Sequence, residues 1–233
     1  MLIGGLQKTS LIDYPGKIAA VVFTARCNFK CGFCHNPELS GEKDQLTKDF
    51  FLEKEILDFL EKRKKVLDGA VITGGEPTLH KDLPEFIRKI KNFGLAVKLD
   101  TNGTNPKMVE KLIKEKMVDF IAMDIKAPLR LYAKVTNSKL GTDNIKKSIK
   151  LIMNSGIDYE FRSTLLPALH TREDVAAMAR LIKGAKKYAL QKFFSSGGKL
   201  LDESFADKRG FTDKEMKELA VVCEGLVEKV VVR

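Results

Sequence analysis

Three cysteines lie within eight residues near the start of the chain. The stretch ARCNFKCGFCHNPEL, residues 25–39, places Cys27, Cys31 and Cys34 in a C-x3-C-x2-C array. Neighbouring cysteines on one loop are poorly placed to join distant elements by disulfides, whereas closely spaced thiolates bind metals. Because three thiolates alone do not complete a tetrahedral metal site, the array needs a fourth ligand from elsewhere.

Three kinds of metal site are compatible with this array. A structural zinc would take His35 or Cys223 as its fourth ligand, but His35 directly follows Cys34, and Cys223 lies in an apolar run, LAVVC, that is typical of a core position. A catalytic zinc would keep its fourth position open. An iron–sulfur cluster fits the tight spacing best, because a short loop can wrap a cuboidal cluster. Three cysteines would then leave one iron open to another ligand.

The composition is that of a folded protein from a reducing compartment. Of the 233 residues, 44% are hydrophobic and 31% are charged. No apolar stretch approaches the roughly 18 residues of a membrane helix, and the opening MLIGGLQKTS lacks the features of a signal peptide. We therefore expect a cytoplasmic location and no membrane partner.

The formal net charge of the chain is +10. Lysines are spread along the predicted helices, often beside acids, and no basic stripe is interleaved with aromatic residues. Nucleic acid is therefore not expected as a partner. Two explanations of the charge remain open: solvated helix faces of a lysine-rich protein, or a surface that docks an acidic partner.

Short apolar runs alternate with longer amphipathic stretches, which is the pattern of βα units on a parallel sheet. The predicted strands are residues 18–24, 69–74, 95–101, 118–126, 158–166 and 188–194. The predicted helices are residues 47–64, 83–93, 106–116, 142–155, 171–186 and 212–228. Helix-start signals are Thr47, the pair Thr104 and Asn105, and the segment from Thr171 to Asp174. The SSGG segment at 195–198 indicates a loop.

Six βα units are fewer than the eight that close a full barrel. The sequence therefore predicts one α/β domain over residues 1–233, a partial (β/α)6 TIM-like barrel, with a doubly wound sheet as the alternative. In both folds, chemistry gathers at the carboxyl ends of the strands. The cysteine loop follows the first predicted strand and GGEPTL (74–79) follows the second, while DTNG (100–103) and DIK (124–126) end the third and fourth. Four unusual segments would thus share one rim.

The array, with Phe33 before its last cysteine and GGEP following along the chain, resembles the radical S-adenosylmethionine (radical SAM) superfamily. The opening GLQKTSLIDYPGKIAAVVFTARCNFKCGFCHNPEL is similar to activating proteins of glycyl radical enzymes, especially those of anaerobic ribonucleoside-triphosphate reductase. This resemblance spans essentially the whole chain and is strongest over residues 5–130. It implies a partial barrel of the radical SAM type.

The resemblance also implies a role for each matching residue. Cys27, Cys31 and Cys34 would bind three irons of a [4Fe–4S] cluster, and the amino and carboxylate groups of S-adenosylmethionine would bind the fourth iron. The other implied contacts are Phe33 near the adenine, Gly74, Gly75, Glu76 and Pro77 around the amino group, Asp124 and Lys126 at the ribose and carboxylate, Arg162 as a further carboxylate contact, and Asp100 and Thr101 at a monovalent cation. No catalytic side chain is implied beyond the cluster and cofactor, and His35, His80 and His170 have no assigned role.

The implied chemistry is reductive cleavage of S-adenosylmethionine into methionine and a 5'-deoxyadenosyl radical. That radical would take hydrogen from a glycine of a partner enzyme, and a flavodoxin or ferredoxin would supply the electron. Two alternatives remain: a radical SAM enzyme that acts on a small molecule or nucleotide, and a non-catalytic zinc or iron–sulfur binding module.

Overall fold

A computed structural model describes residues 1–41, 50–195 and 200–233 of the chain. At its centre is one sheet whose eight strands follow one another in sequence order. The first two strands are antiparallel, and every later neighbouring pair is parallel. The strands are β1 (Ile3–Ser10), β2 (Ala19–Thr24), β3 (Gly69–Gly74), β4 (Ala96–Thr101), β5 (Phe120–Asp124), β6 (Asp158–Leu165), β7 (Tyr188–Lys192) and β8 (Val230–Val232).

At least one helix connects each parallel strand to the next. The helices are α1 (Glu53–Arg63), α2 (Leu83–Asn92), α3 (Pro106–Lys114), α4 (Tyr132–Thr136), α5 (Asp143–Met153), α6 (Arg172–Leu181) and α7 (Asp213–Val221). Their buried stripes, such as Leu83, Phe86, Ile87 and Ile90 on α2, face the sheet. In the described part of the chain, no helix combines the length and the apolarity required to cross a membrane.

The strand order distinguishes the two predicted folds. Each parallel connection moves to the next position in the same direction, from β2 to β8. Because such connections are right-handed, they place all the helices on one face of the sheet and leave the other face as a concave interior. A doubly wound sheet would instead reverse its strand order at a switch point. The predicted α/β partial barrel is therefore confirmed, with β1 and β8 at its two edges.

The two faces of the sheet carry different residues. The helix-facing side belongs to the main apolar core, to which Ile72, Leu99 and Ile121 contribute. On the concave side, a small separate cluster around Tyr14 and Val21 fills the amino end of the barrel. Towards the carboxyl end, the inward positions of β4, β5 and β6 are charged. The amino end is thus packed, and the polar carboxyl end is left for a ligand.

The six predicted strands are confirmed, and each of their ends lies within two residues of the predicted one. The prediction lacked β1 and β8. The sequence of β1, IGGLQKTS, has glycines at its second and third positions and ends in polar residues, so it carries little strand signal. β8 has only three residues. Both strands form because the sheet next to them offers unpaired backbone groups, which local sequence does not reveal.

Two helices end earlier than predicted. α6 stops at Leu181 rather than at 186, and α7 stops at Val221 rather than at 228. Gly184 and Gly225 adopt φ angles of +86° and +73° beyond these ends, in the left-handed region that terminates helices. α1 begins at Glu53, whereas the predicted start at Thr47 lies outside the described residues, as do residues 196–198 of the predicted loop.

The predicted starts of α3 and α6 are confirmed. The Asn105 side chain accepts a hydrogen bond from the Met108 amide at 3.3 Å and caps α3. Thr171 and Asp174 form a reciprocal capping box at the start of α6. Thr104 does not cap a helix, because its hydroxyl binds Asn102 instead.

The unpredicted strand β1 supplies a first test of the fold. Ile3 is fully buried in the main core, whereas Leu11, just after the strand, is 72% exposed. Replacing Ile3 by Ala should lower the free energy of unfolding by about 2–5 kcal/mol, as for other buried aliphatic truncations. Urea unfolding of this variant and of the control Leu11→Ala measures the difference. Equal, small effects of the two changes would contradict the placement of β1.

Candidate active site

A cavity opens at the carboxyl ends of the strands, with an empty volume of about 870 Å³ that includes the part open to solvent. Of the thirteen predicted site residues, all except Pro77 line it. Pro77 is buried and begins a single 3-10 turn, Pro77–Leu79, behind the cavity wall. The four segments predicted to share one rim therefore do so.

The cysteine loop forms one wall of this cavity. Cys31 is buried, and Cys27 and Cys34 are half-buried. The Phe29 amide donates to Cys27 Sγ at 3.4 Å, and Cys34 Sγ lies 3.4 Å from the Ser40 hydroxyl. Burial raises the pKa of the Cys27 thiol to about 12 and that of Cys31 to about 11. Both thiols are thus protonated near neutral pH until a bound metal displaces their protons.

The described segments 1–41, 50–195 and 200–233 hold no group of three His, Cys, Asp or Glu side chains arranged as the ligands of a single metal ion. Cys223, weighed above as a possible zinc ligand, is not among the residues that line the cavity. It is fully buried in the main core beyond α7, which confirms its expected place as a core residue.

Two glycines join the cysteine loop to the loop after β3. The Gly75 amide donates to the Thr24 carbonyl at 2.7 Å, and the Glu76 amide donates to the Arg26 carbonyl at 2.7 Å. A Cβ on Gly75 would lie 2.1 Å from the Arg26 carbonyl oxygen, and one on Gly74 would lie 2.4 Å from that of Thr24. Gly74 also has a φ of +109°. Only residues without side chains let these two backbones approach so closely.

Glu76 is a fully buried carboxylate that connects the loop after β3 to the loop after β4. One oxygen accepts from the Thr78 amide at 3.1 Å and from the hydroxyls of Thr78 and Thr101 at 2.5 and 2.7 Å. The other accepts from the Asn102 amide at 2.6 Å. Burial raises the pKa of Glu76, although these hydrogen bonds oppose the rise. The carboxylate therefore positions the GGEP and DTNG loops relative to each other.

An amide network connects the cysteine loop to the loop after β4. Asn102 Nδ2 donates to Asn28 Oδ1 at 2.8 Å, and Asn28 Nδ2 donates to the Thr104 hydroxyl at 2.7 Å. Asn102 Nδ2 also lies 4.0 Å from Cys27 Sγ. Asn28 and Asn102 were not predicted as site residues, and Thr104 was predicted only as part of a helix start. Their residue types are common in turns, so only the folded structure reveals that they lie together.

A row of five charged side chains crosses the concave face of β4, β5 and β6. Arg162 Nε donates to Asp124 at 2.9 Å, and Arg162 Nη1 donates to Asp100 at 3.0 Å. Lys126 Nζ donates to the other oxygen of Asp124 at 2.9 Å, and Lys98 Nζ binds the other oxygen of Asp100 at 2.5 Å. We call these five residues the charge row. It holds three positive and two negative groups, so one positive charge is in excess.

The charge row fixes the protonation states of its members. Burial alone would raise the pKa values of Asp100 and Asp124, but Arg162 with Lys98 or Lys126 outweighs burial and holds both below the usual range. Burial likewise opposes the charged form of Lys126, yet Asp124 holds the Lys126 pKa above its usual value. Asp100, Asp124, Lys126 and Arg162 are therefore ionised at neutral pH.

The three histidines of the chain each bind a backbone carbonyl next to the site. His80 Nε2 lies 2.8 Å from the Ala25 carbonyl, and His35 Nε2 lies 2.9 Å from that of Phe194. His170 Nε2 lies 2.9 Å from the Lys126 carbonyl, while its Nδ1 accepts from the Leu166 amide at 3.4 Å. Because Nδ1 accepts, His170 is neutral with its proton on Nε2. The histidines thus hold backbone in place, which their isolated positions in the sequence did not indicate.

Comparison with known proteins shows what the chain is similar to. The model of the Radical SAM superfamily matches residues 21–182, which include the cysteine array and the charge row. A Methanocaldococcus jannaschii protein, named as a candidate glycyl-radical enzyme activating enzyme, is 34% identical over 100% of this chain and 95% of its own length. The pyruvate formate-lyase-activating enzyme of Clostridium pasteurianum is 29% identical over 79% of this chain and 77% of its own.

A solved structure supports the fold. Streptococcus suis SuiB bound to S-adenosylmethionine superposes with a TM-score of 0.66 at 16% identity, over 89% of this chain and 48% of SuiB, so the chain spans about half the length of that protein. The superfamily implies a [4Fe–4S] cluster and S-adenosylmethionine. The cavity suits both groups, since three thiols form one wall and four charged members of the charge row, Asp100, Asp124, Lys126 and Arg162, form another.

The glycine junction can be tested with two matched substitutions. Replacing Gly75 by Ala forces its Cβ against the Arg26 carbonyl and should cost about 1–3 kcal/mol of stability. It should also reduce the iron retained after reconstitution, because the cysteine loop moves. Gly141→Ala is the control, since nothing lies within 4 Å of its Cβ position. Urea unfolding and iron analysis give the comparison, and equal behaviour of the two variants would contradict the junction.

The buried histidines predict how stability depends on pH. Burial lowers the pKa of His80 and of His170 from the ordinary 6.5, so the unfolded chain binds protons more readily than the folded one. The stability of the apoprotein should therefore be full above pH 6.5 and fall as the pH drops below it, by at most about 1.4 kcal/mol per pH unit for each site. His170→Gln should flatten this dependence in urea unfolding at pH 7.5 and 5.5, and Lys146→Gln should not. An unchanged slope in His170→Gln would contradict the assignment.

Proposed function

The chain belongs to the radical SAM superfamily, and on that premise we propose that it activates a glycyl radical enzyme by abstracting hydrogen from one of that enzyme's glycines. The observation that carries the proposal is that three thiols line the same cavity as Asp100, Asp124, Lys126 and Arg162, with Lys98 buried behind Asp100 and adding one positive charge to the row. When bound, the cluster and S-adenosylmethionine supply reductive cleavage of the sulfonium and a 5'-deoxyadenosyl radical.

Cys27, Cys31 and Cys34 would bind three irons of the cluster. The fourth iron would then face the cavity, where it can take the amino and carboxylate groups of S-adenosylmethionine. The three cysteine thiols would lose their protons when the cluster binds. The amide of Phe29 would remain as a hydrogen-bond donor to Cys27 Sγ. Phe33, which is buried 6.2 Å from the Phe205 ring, would border the adenine.

The charge row would orient the methionine part of the cofactor. Its excess positive charge is complementary to one carboxylate, and Lys126 and Arg162 are the cationic members of the row that line the cavity. Asp124 would address the ribose, and backbone groups of Gly74, Gly75 and Glu76 would meet the amino group. A monovalent cation at Asp100 and Thr101 would have to compete with Arg162 and Lys98 for the Asp100 carboxylate. We therefore assign the charge row to the carboxylate of the cofactor rather than to a cation.

The substrate would be a polypeptide loop that enters the cavity from its open side. Similarity along the full chain to proteins named as activating enzymes supports this class of substrate. We further propose anaerobic ribonucleoside-triphosphate reductase as the partner, on the strength of the CHNPEL and LQKTSLIDYPGK segments. Because a solvent-facing low-potential cluster is readily oxidised, the proposal implies a cytoplasmic, anaerobic setting. We also propose that residues 1–233 form one domain built on one sheet.

The experiment combines anaerobic reconstitution with two readouts. The reduced holoprotein is incubated with S-adenosylmethionine and the reductase, then assayed for 5'-deoxyadenosine by chromatography and for a glycyl radical by electron paramagnetic resonance. Wild type and Cys223→Ala should give both products, and Cys31→Ala should give neither. Without 5'-deoxyadenosine from a fully loaded cluster, the radical chemistry would be wrong. Product without a glycyl signal would contradict the partner.

Cofactor binding tests the charge row separately. Lys126→Met removes one charge-assisted hydrogen bond and should weaken S-adenosylmethionine binding about 10- to 100-fold, corresponding to about 1.5–3 kcal/mol. The iron content should stay unchanged. Lys146→Met, on the exposed surface of α5, is the control and should bind as wild type does. Equilibrium dialysis on reconstituted protein measures the affinity, and an unchanged value for Lys126→Met would remove this residue from the site.

A further inference from the structure

We propose that Thr164 and Gln191 bind the backbone of the partner's glycine loop, and we call these two residues the hydroxyl–amide pair. They lie on β6 and β7, beside the charge row. This role rests on the proposed function and adds to it, because it assigns side chains of this chain to the polypeptide substrate rather than to the cofactor. Neither residue was predicted from the sequence as a site residue.

The register of β6 against β7 brings the two side chains together. Thr164 and Gln191 are partners across this parallel pair of strands. Such neighbours lie about 4.8 Å apart and point to the same face of the sheet. That face is the concave one, because Thr164 lines the cavity, whereas Leu190, directly before Gln191, is fully buried in the main core. Arg162 of the charge row is two residues before Thr164 and therefore lies on the same face.

The fold does not use the polar groups of the hydroxyl–amide pair. Both residues are half-buried, and no hydrogen bond between residues that the structure describes involves the Thr164 hydroxyl or the Gln191 amide side chain. Several other polar side chains of the cavity are already engaged. Glu76 accepts four hydrogen bonds, the Thr101 hydroxyl binds Glu76, and both ends of the Asn102 amide are bonded. The pair thus keeps its hydrogen-bonding capacity for a ligand.

The hydroxyl–amide pair lies on the side of the cavity that a polypeptide can reach. The cavity is lined by the cysteine loop and by residues of β3 to β6 and the loops that follow them, and no residue of β1, β7 or β8 lines it. Because β1 and β8 are the two edges of the sheet, the barrel is open between them. β7 lies between β8 and the charge row, so a chain that enters from the β8 side passes Gln191 before it reaches Arg162.

The chemistry of the hydroxyl–amide pair matches a glycine backbone. Glycine has no side chain, so a site can bind the reacting residue by hydrogen bonds only through its N–H and its carbonyl oxygen. These two groups need an acceptor and a donor when they are taken out of water. A hydroxyl and a primary amide each donate and accept, whereas lysine and arginine only donate and a carboxylate only accepts. The neutral pair therefore suits a peptide backbone better than the ionised charge row does.

Binding of the backbone would also fix the position of the α-hydrogen. Hydrogen transfer requires the glycine α-carbon in contact with the cofactor, and a misplacement of about 1 Å can cost roughly 100-fold in rate. The hydroxyl–amide pair itself moves no proton and no electron. Its removal should therefore leave cofactor binding and cleavage intact while fewer of the cleavage events produce a glycyl radical.

The test compares reconstituted holoproteins that retain equal iron. Thr164→Val/Gln191→Met removes the hydroxyl and the amide at similar side-chain volume, Gln191→Met alone repeats the amide loss in case the double variant does not fold, and Thr164→Ser keeps the hydroxyl. The control Thr142→Val/Asn154→Leu removes one hydroxyl and one amide at the two ends of α5, where the Thr142 side chain caps nothing. Three quantities are measured: the affinity for S-adenosylmethionine, the KM for the reductase in glycyl radical formation, and the ratio of 5'-deoxyadenosine to glycyl radical.

The double variant should raise the KM for the reductase about tenfold and should also raise the ratio of 5'-deoxyadenosine to glycyl radical. Its affinity for S-adenosylmethionine should equal that of wild type, and Thr164→Ser and the control should stay within about twofold of wild type in all three quantities. A double variant that behaves as the control does would overturn the role of the pair. A loss of S-adenosylmethionine affinity would also overturn it, because the pair would then belong to the cofactor site. If wild type forms 5'-deoxyadenosine but no glycyl radical, the proposed function fails, and the assignment of the pair to a glycine loop fails with it.

Discussion

The organisation of the site depends on how charged side chains are kept inside a barrel. Asp100, Asp124 and Arg162 lie on inward positions of three adjacent strands and are largely shielded from water. Burying such groups is costly unless each is paired, and removing one partner would leave another charge uncompensated. Arg162 solves this by binding both carboxylates, and Lys98 and Lys126 complete the row. The proposed function assigns the remaining positive charge to the carboxylate of the cofactor.

A second constraint fixes the cysteine loop relative to that row. The loop has little regular structure, yet its backbone and side chains are bonded to several neighbours. The glycine junction holds its start, the Asn28–Asn102 pair holds its middle, and His35 and Ser40 hold its end. His170 acts on the opposite wall, where it binds the backbone of Lys126. A metal site built on a loop in this way can have its ligands in place before the metal arrives.

The strands and the position of the cavity could be predicted from the sequence, because the unusual sequence motifs follow directly on the ends of predicted strands. The alternation of apolar runs with amphipathic stretches located six strands, and the position of each motif at a carboxyl end located the cavity. The alternation within β4, AVKLDT, also carries a usable signal, since Lys98 must face the same side as Asp100. The sequence analysis did not use that signal.

Other features depend on contacts between distant segments. The pairing of Asp124 with Arg162 requires the register of β5 against β6, which local sequence does not encode. The same holds for β1 and β8, which form only because the sheet offers them an edge. Glu76 was expected near the cofactor amino group, but the side-chain network around its carboxylate became visible only in the folded chain. Single-residue signals thus located the site, and tertiary structure defined how it is held.

The most direct test of the proposed function traces the α-hydrogen of the partner's glycine into 5'-deoxyadenosine. Anaerobic ribonucleoside-triphosphate reductase is prepared with α-deuterated glycine and incubated with reduced holoprotein and S-adenosylmethionine, and the 5'-deoxyadenosine is analysed by mass spectrometry. The account predicts that the product carries one deuterium taken from the partner's glycine. Formation of 5'-deoxyadenosine without deuterium, alongside a normal yield, would contradict glycyl hydrogen abstraction as the function of this site.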